Sequence, residues 1–559
     1  MEDGGHLFVV DGDLRRISCD AWLLPTDFRF SITPLWHEAL PAEALVETRI
    51  GDETKWLLQG HAWAGDFNGE VIPCRWDGMN GVYLARIGHS GGNPDVYVTA
   101  AMNFIERATL DLELNGRRPR LAINHLGSGR GGARQVRGGV LERLVNALQD
   151  AMNAGTVAAD VILVSWGEKD EAAAQYLRLV GREASLRSSK VWHFANDNER
   201  IHRTAQDLAR HFKAGNACIF MGAGTSAGAG LPTWSGLLEE ILTEVTDPDV
   251  RAHFVETDDN LQRASILRDA LTTDVFAGAI SNRLKADKYS LLHGLLSSLP
   301  CREYITTNVD TLFEEASSTK NRGLTILPAL DDRQMVDRWL LKIHGCVSLP
   351  ETLVFTDEDY RENMSTRRAL FGVLQAMLLT RHMVFVGYSL SDPDFLEILS
   401  EVRAALPAGM TESARLGRKL GTVLTLYSGD GDTPPDDDRR DLLSLFDHLP
   451  LSAHTRQSAS ENDTSGAVRD LERFLDLVGM LASDRAGFLL DHRYEGLLTE
   501  TEQKLAEALE PVTRLAQAMN GASGWEQVWE LLRSLGANPE TIGKDRPGIL
   551  GAVPHVRGD

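Results

Sequence analysis

The chain has 559 residues, of which 43% are hydrophobic and 25% are charged, the balance of an ordinary globular protein. A chain of this length is too long for one hydrophobic core, so three domains are expected. Its formal net charge of −23 repels phosphate backbones and argues against direct binding of nucleic acid. The sequence lacks an apolar run long enough to span a membrane, which excludes a membrane-spanning protein, and it shows no secretory signal, which favours the cytoplasm. Its five cysteines include no C-x-x-C pair, which excludes a Cys-rich zinc site.

The first region, residues 1–195, alternates short apolar runs with helical stretches, a pattern typical of an α/β domain. Strands are predicted at Leu7–Val10, Ala21–Leu24, Val82–Arg86, Leu121–Asn124 and Val161–Trp166. Helices are predicted at Gly138–Ala154 and Glu171–Leu179, and the polar stretch Asn196–Glu199 is interpreted as a linker.

The second region, residues 200–458, is a second α/β unit. Helix Ile201–Ala214 precedes the strand Ala217–Met221, a glycine-rich turn and a helix near Trp234–Val245, and residues 237–300 are interpreted as an inserted helical module. Further strands are predicted at Glu303–Thr307, Leu324–Leu327, Trp339–Ile343, Met383–Tyr388 and Thr422–Tyr427. Short buried strands alternating with helices indicate a Rossmann-like, doubly wound parallel sheet covered on both faces.

The third region, residues 466–559, is predicted to be a helical tail. Ser428–Arg440 is interpreted as an exposed acidic loop and Ala459–Ser465 as a polar connection. Apolar residues then recur at helical spacing, at Leu471, Phe474, Leu475, Leu477 and Val478.

A glycine-rich segment at 222–230 directly follows the strand Ala217–Met221. Glycines let a backbone turn sharply and approach a pyrophosphate closely, with the amides and the positive helix end facing the phosphate oxygens. The alternative is a tight turn with no ligand.

Three further motifs follow in order: Thr-Thr-Asn-Val-Asp at 306–310, Lys-Ile-His-Gly at 342–345, and Val-Gly-Tyr-Ser-Leu-Ser-Asp at 386–392. Together with the glycine-rich turn and its later Pro-x-Trp, they resemble the NAD-binding and catalytic motifs of the sirtuins. Each residue also has a structural interpretation. Asn308 could form a turn, Asp310 could cap the next helix, and His344 could be a core histidine.

The sirtuin resemblance implies a role for each motif residue. Asn308 would orient nicotinamide or the attacking water, Asp310 would contact nicotinamide or the ribose, and His344 would act as a base. The residues implied in binding NAD are Gly222, Ala223, Gly224, Thr225, Ser226, Pro232, Trp234, Thr307, Gly387, Ser389 and Asp392.

Three departures from the sirtuin deacetylases favour cleavage of NAD over deacetylation. The four zinc cysteines are missing, Pro-Asp-Phe-Arg is replaced by Pro-Thr-Trp-Ser at 232–235, and no strand for an acyl peptide is evident. Water then becomes the acceptor, NAD the substrate, and no metal is expected. Such zinc-free domains resemble the sirtuin-like NAD hydrolases of bacterial anti-phage systems (Thoeris and the defence-associated sirtuins), which implies a gated, homo-oligomeric effector of abortive infection.

Two alternatives remain open. One is a nucleotide-binding sensor or scaffold subunit of a defence complex, for example with a HerA-like ATPase. The other is a protein-modifying sirtuin, a deacylase or an ADP-ribosyltransferase. The presence of Asn308, Asp310 and His344 together favours the hydrolase, because a pure binder does not need all three.

The first region resembles a macro domain in two segments, Val10–Leu14 and the glycine-rich 123–132. The resemblance implies a second nucleotide site with Asp13, Gly127, Gly129 and Gly131 as contacts, and a nucleotide signal or a partner protein as activator. The segment 24–29, Leu-Pro-Thr-Asp-Phe-Arg, departs from the macro pattern, so an assembly scaffold without a ligand is the alternative.

Overall fold

The structure of the chain is a computed structural model. It describes residues 4–50, 53–65, 67–88, 93–112, 114, 117–127, 137–180, 190–194, 197–318, 323–328, 337–406, 419–427, 444–452, 465–519 and 524–538. The predicted loop Ser428–Arg440, the predicted contacts Gly129 and Gly131, and most of the predicted connection Ala459–Ser465 lie outside these residues.

The N-terminal part is built on a six-stranded mixed sheet with the order β1-β9-β8-β2-β7-β6, in which only the β6–β7 pair is antiparallel. Its elements are β1 Leu7–Asp11, β2 Ala21–Thr26, β3 Ser31–Ile32, β4 Leu45–Ile50, β5 Glu53–Leu58, β6 Val71–Pro73, β7 Val82–Arg86, α1 Pro94–Asp111, β8 Arg120–Asn124, α2 Arg137–Ala154, β9 Asp160–Ser165 and α3 Glu168–Leu179. The five predicted strands and two predicted helices are confirmed within a few residues.

The prediction missed four strands and one helix of this part. Strands β3, β4 and β5 form a separate antiparallel sheet, and most side chains of β4 are exposed or half-buried. A strand without a buried apolar run gives no periodic signal, which explains the miss. Helix α1 does carry a start signal: the Asn93 side chain accepts a hydrogen bond from the amide of Asp95, and Pro94 is the first helical residue.

The second part contains a seven-stranded parallel sheet with the order β12-β13-β11-β10-β14-β15-β16. Its elements are α4 Asn198–Lys213, β10 Ala217–Met221, α5 Trp234–Leu242, α6 Pro248–Glu256, α7 Asn260–Leu271, α8 Thr273–Arg283, α9 Leu291–Ser298, β11 Glu303–Thr306, α10 Leu312–Ser317, β12 Thr325–Leu327, β13 Trp339–Lys342, α11 Asp357–Thr366, α12 Arg368–Thr380, β14 His382–Val386, α13 Pro393–Ala405, β15 Gly421–Tyr427 and β16 Phe446–Ser452. The chain starts in the middle of this sheet and builds outward on both sides.

The predicted parallel sheet and the predicted helical module are both confirmed. Helices α5 to α9 occupy most of residues 234–298, and α5 to α8 share a hydrophobic cluster that includes Leu238, Phe254, Leu267 and Phe276. The predicted linker Asn196–Glu199 is wrong where it is described. Asp197 caps α4 by accepting a hydrogen bond from the amide of Arg200, and the helix already begins at Asn198.

The C-terminal part is helical, as predicted, with α14 Ser465–Ala482, α15 Glu500–Ala518 and α16 Glu526–Ser534. Helix α14 is not peripheral, because it packs against β1 and α3 of the N-terminal part and against α4, α9 and β16 of the second part. The apolar residues that predicted this helix, among them Phe474 and Val478, are fully buried. One hydrophobic core therefore runs through all three regions, joining Phe8, Leu295 and Phe474. The predicted domain boundaries remain predictions.

No helix among the described residues has the length and apolar character needed to cross a lipid bilayer. All five cysteines are unbonded thiols, and Cys218, Cys301 and Cys346 are buried.

Candidate functional site

The predicted site residues lie at the carboxyl ends of four neighbouring strands. In the register of the sheet, Met221 at the end of β10 lies between Thr306 of β11 and Val386 of β14, and Thr306 pairs with Lys342 of β13. The four sirtuin-like segments thus begin at one edge of the sheet, the edge at which parallel α/β sheets bind ligands.

The glycine turn, residues 222–226, packs backbone against backbone on the turn that follows β14. The amide of Gly224 donates to the carbonyl of Gly387 over 2.9 Å, and the amide of Gly222 donates to Val386 over 3.0 Å. A Cβ on Gly222 would lie 2.6 Å from the Gly387 oxygen, and Gly387 has a φ of +62°. Glycine is therefore required on both sides of this contact.

The glycine turn does not lead directly into an α-helix. Two short 3₁₀ turns, Ala223–Thr225 and Ala227–Ala229, come first, and α5 begins only at Trp234, capped by Thr233. The amides of Thr225 and Ser226 donate to carbonyls within the turn. The predicted arrangement, in which the amides and a helix start face phosphate together, therefore differs from the structure, although Ala223 and Gly224 are exposed.

Asn308 fastens the end of β11 to the glycine turn. Its side-chain nitrogen lies 3.1 Å from the carbonyl oxygen of Gly222 and 3.2 Å from both Thr225 Oγ1 and Ser226 Oγ. Its own amide donates to Thr306 Oγ1. Among the described residues, the side-chain oxygen of Asn308 accepts no hydrogen bond, so it is available to a ligand.

Asp310 lies behind the same turn and is 7% exposed. Its Oδ2 accepts a 2.8 Å hydrogen bond from Ser226 Oγ, and its Oδ1 accepts the amide of Leu312, so the predicted helix-capping role is also present. Lys342 donates to the main-chain oxygen of Asp310 and pairs with Glu314 at 2.6 Å. Burial alone would lower the pKa of Lys342, but Glu314 raises it, which keeps this lysine charged beneath the site.

His344 follows β13 and is 6% exposed. Its Nε2 lies 3.5 Å from Asp392 Oδ2 and 4.0 Å from Asp394 Oδ2. Burial lowers the pKa of His344 below its ordinary value of 6.5, although Asp392 opposes the shift. The ring is therefore neutral at pH 7 and can accept a proton.

Two residues of α11 hold the carboxylates that face His344, and neither was predicted. Tyr360 Oη donates to Asp392 Oδ2 at 3.0 Å, and Asn363 Nδ2 donates to Asp394 Oδ2 at 2.8 Å. Burial raises the pKa of Asp394 to about 6. His344, Asp392 and Asp394 offer three ligand atoms within 4.8 Å of one another, so this group could hold a divalent cation.

The remaining predicted contacts are Thr307, Ser389, Pro232 and Trp234. Thr307 is half-buried, and its amide lies 3.4 Å from the carbonyl oxygen of Met221. Ser389 is exposed, with its hydroxyl 2.5 Å from that of Ser391. Pro232 and Trp234 are half-buried at the start of α5.

The predicted second nucleotide site is described only in part. Asp13 is engaged by Arg15, whose guanidinium approaches it to 2.6 Å, and the amide of Asp13 donates to Tyr289 Oη. Gly127 has a φ of +76°, and a Cβ there would lie 2.5 Å from the ring of Tyr97. A packing role accounts for the Gly127 backbone, and nucleotide contacts at either residue remain a prediction.

Comparison with known proteins agrees with the geometry of the second part. A family model described as a SIR2-like domain matches residues 302–443. The NAD(+) hydrolase ThsA of Enterococcus faecium is 31% identical over 220 residues, 37% of this chain and 44% of that protein. The protein of the same name from Bacillus cereus (strain MSX-D12) is 27% identical over 218 residues, again 37% and 44%. Defense-associated sirtuin 2 of Bacillus subtilis is 23% identical over 204 residues, 35% of this chain and 20% of that protein.

The matched region covers less than half of each of these relatives. None of the matches shows a macro-like domain in the N-terminal part. The chain therefore contains a SIR2-like domain that is distantly related to NAD(+) hydrolases and to a defence-associated sirtuin.

Proposed function

We propose that this chain is an NAD glycohydrolase that cleaves NAD to nicotinamide and ADP-ribose, and that it acts as a gated effector of anti-phage defence. One observation carries the proposal: Asn308, Ser226 and Asp310 form one hydrogen-bonded group on the glycine turn, at the same sheet edge as a buried neutral His344. The names of the relatives support NAD as the substrate.

The chemistry requires stabilisation of positive charge on the ribose as the bond to nicotinamide breaks. The Asp310 carboxylate supplies negative charge behind the glycine turn, and the free oxygen of Asn308 can orient nicotinamide or water. The neutral His344 imidazole can take a proton from water or a ribose hydroxyl, and Asp392 then stabilises the imidazolium.

The test uses full-length protein purified from phage-infected cells, because a gated enzyme is active only after infection. A truncated domain would expose α14, which is part of the common core. Nicotinamide release from NAD is followed by chromatography for the wild type, Asn308→Ala and His344→Ala. Asn282→Ala and His253→Ala, exposed positions on the helical module, are the matched controls. We expect release to fall about 100-fold or more in the site variants and to remain unchanged in the controls. Equal release by all five proteins would refute the assignment of the site.

Gating is tested in cells, since an unrestrained NAD hydrolase would kill its host. We expect the NAD content of bacteria that express the wild type to fall only after phage infection, and not to fall with Asn308→Ala. Depletion without infection would contradict gating. A homo-oligomeric state and an activating nucleotide or partner protein belong to this proposal.

A second candidate function is a nucleotide-binding sensor or scaffold. It is favoured by the observation that the Asn308 nitrogen and Asp310 Oδ2 are both occupied within the glycine turn, where they shape a binding loop. Calorimetry separates the two: a protein that binds NAD but releases no nicotinamide, before or after infection, is a scaffold.

A further inference from the structure

The segment Tyr289–His293 connects the N-terminal sheet to the glycine turn. His293 lies on α9 with its Nε2 3.4 Å from Ser226 Oγ, on the buried side of the group that contains Asp310. Ser290 caps the same helix, and its hydroxyl lies 3.1 Å from the carbonyl oxygen of Thr225 and 2.9 Å from Nδ1 of His293, so these two acceptors share its one proton. Tyr289, Ser290 and His293 were not singled out from the sequence.

The amide of Ser290 assigns the two ring nitrogens of His293. It lies 3.3 Å from Nδ1, and because an N–H can only donate, we assign Nδ1 as an acceptor and place the proton of the neutral ring on Nε2. Nε2 then donates to Ser226 Oγ, which also accepts from Asn308 and donates its own proton to Asp310. Burial keeps His293 neutral by lowering its pKa to about 4. Without the His293 donor, the Ser226 hydroxyl loses one of the contacts that aim it at Asp310.

Tyr289, immediately before Ser290, is bound to the loop that follows β1. The amide of Ser18 donates to the Tyr289 carbonyl over 2.8 Å, and the Tyr289 amide donates to Arg16 over 2.9 Å. At the tip of this loop, the amide of Asp13 donates to Tyr289 Oη over 3.0 Å, and a Cβ on Gly12 would lie 2.5 Å from the same oxygen. Tyr289 is fully buried, and its amide, carbonyl and hydroxyl groups all bond to this loop, so a displacement of the loop disturbs Tyr289.

We propose that Ser290 and His293 are positioning residues of the Ser226–Asp310 pair, and that Tyr289 couples them to the 12–18 loop of the N-terminal part. This inference rests on the proposed function for its catalytic consequence, but the coupling itself is a property of the fold. A ligand or partner that displaces the 12–18 loop then acts on the site through two consecutive residues, which gives the N-terminal part a physical route for control.

The first test asks whether His293 positions Ser226 through its Nε2 proton. His293→Leu removes the donor, whereas His293→Gln keeps an N–H at the corresponding place. We expect kcat for nicotinamide release to fall about 10- to 100-fold in His293→Leu with little change in KM, and to recover largely in His293→Gln. Equal losses in both variants would reduce His293 to a packing residue and overturn the assignment.

The second test measures the coupling without NAD. Tyr289→Phe removes only the hydroxyl at Asp13, and Tyr304→Phe, which removes a buried hydroxyl bonded to Cys301, is the matched control. By hydrogen exchange, we expect the amides of 222–230 to exchange roughly 5-fold faster in Tyr289→Phe, which loses the two contacts of the hydroxyl with Asp13. We expect exchange at the wild-type rate in Tyr304→Phe. Unchanged exchange in Tyr289→Phe would overturn the coupling.

The two proposals fail separately. A wild type that releases no nicotinamide under any condition refutes the hydrolase, while faster exchange in Tyr289→Phe still supports the coupling. A wild type that releases nicotinamide, together with Tyr289→Phe that matches it in both exchange and kcat, refutes the coupling alone.

Discussion

Breaking the buried ion pair between Arg178 of α3 and Asp476 of α14 should strongly destabilise the junction of the N-terminal and C-terminal parts. Both side chains are at most 1% exposed, and the guanidinium meets the two carboxylate oxygens at 2.9 and 2.5 Å. His6 adds a third contact to Asp476 at 2.7 Å. Arg178→Met keeps much of the volume but leaves a buried carboxylate without its cation.

The expected cost is about 3–5 kcal/mol, the range for removing one partner of a buried pair. For a cooperative unit of about 150–250 residues this lowers Tm by on the order of 10 °C, measurable by calorimetry. Arg493→Met is the matched control, because Arg493 is 17% exposed and Lys169 also faces its partner Asp491. A smaller loss is expected there.

The pH dependence gives an independent check. Burial alone would raise the pKa of Asp476, but Arg178 and His6 lower it below the ordinary 3.8, so the pair stabilises the fold at neutral pH and is lost only in strong acid. In Arg178→Met burial dominates and the pKa of Asp476 rises. The carboxyl is then protonated at a higher pH than in the wild type, so the Tm difference from the wild type should shrink as the pH is lowered from neutral. A difference that grows in acid, or a variant as stable as the wild type, would refute this reasoning.

Three further predictions concern the site. Gly387→Ala should abolish nicotinamide release and weaken NAD binding, since its Cβ would meet the backbone of the glycine turn at 2.6 Å; Gly372→Ala, in an open helical position, should be neutral or slightly stabilising by calorimetry. Because the pKa of His344 lies below 6.5, kcat/KM should fall only at pH values below 6.5. Asp392 raises this pKa, so Asp392→Asn should move the fall in kcat/KM to lower pH, and a shift to higher pH would contradict His344 as the base. EDTA should leave nicotinamide release unchanged; loss that Mn²⁺ restores would instead make His344, Asp392 and Asp394 a metal site.

Much of the fold and part of the candidate site could be predicted from local patterns. Fully buried parallel strands are short apolar runs, so β10, β11, β13 and β14 were located from the sequence, and with them the polar residues that follow each strand. Asn308 and Asp310 follow β11 and hydrogen-bond to the glycine turn, while their roles as site residues stay predictions. The assignment of His344 as a base stays a prediction.

Only the tertiary structure decided the contacts between residues that are far apart in sequence. His293 meets Ser226 across 67 positions, and Tyr289 meets Asp13 across 276. No sequence pattern predicts such pairs, because each side chain also fits an ordinary local pattern. His293 belongs to a helix capping box, and Asp476, the partner of Arg178, occupies a polar position on an amphipathic helix. The sequence determined which segments form strands and helices, since burial of apolar faces is a local requirement. The packing of α9 and α14 between two sheets decided which buried polar groups form hydrogen bonds or ion pairs, since these contacts depend on where the elements meet.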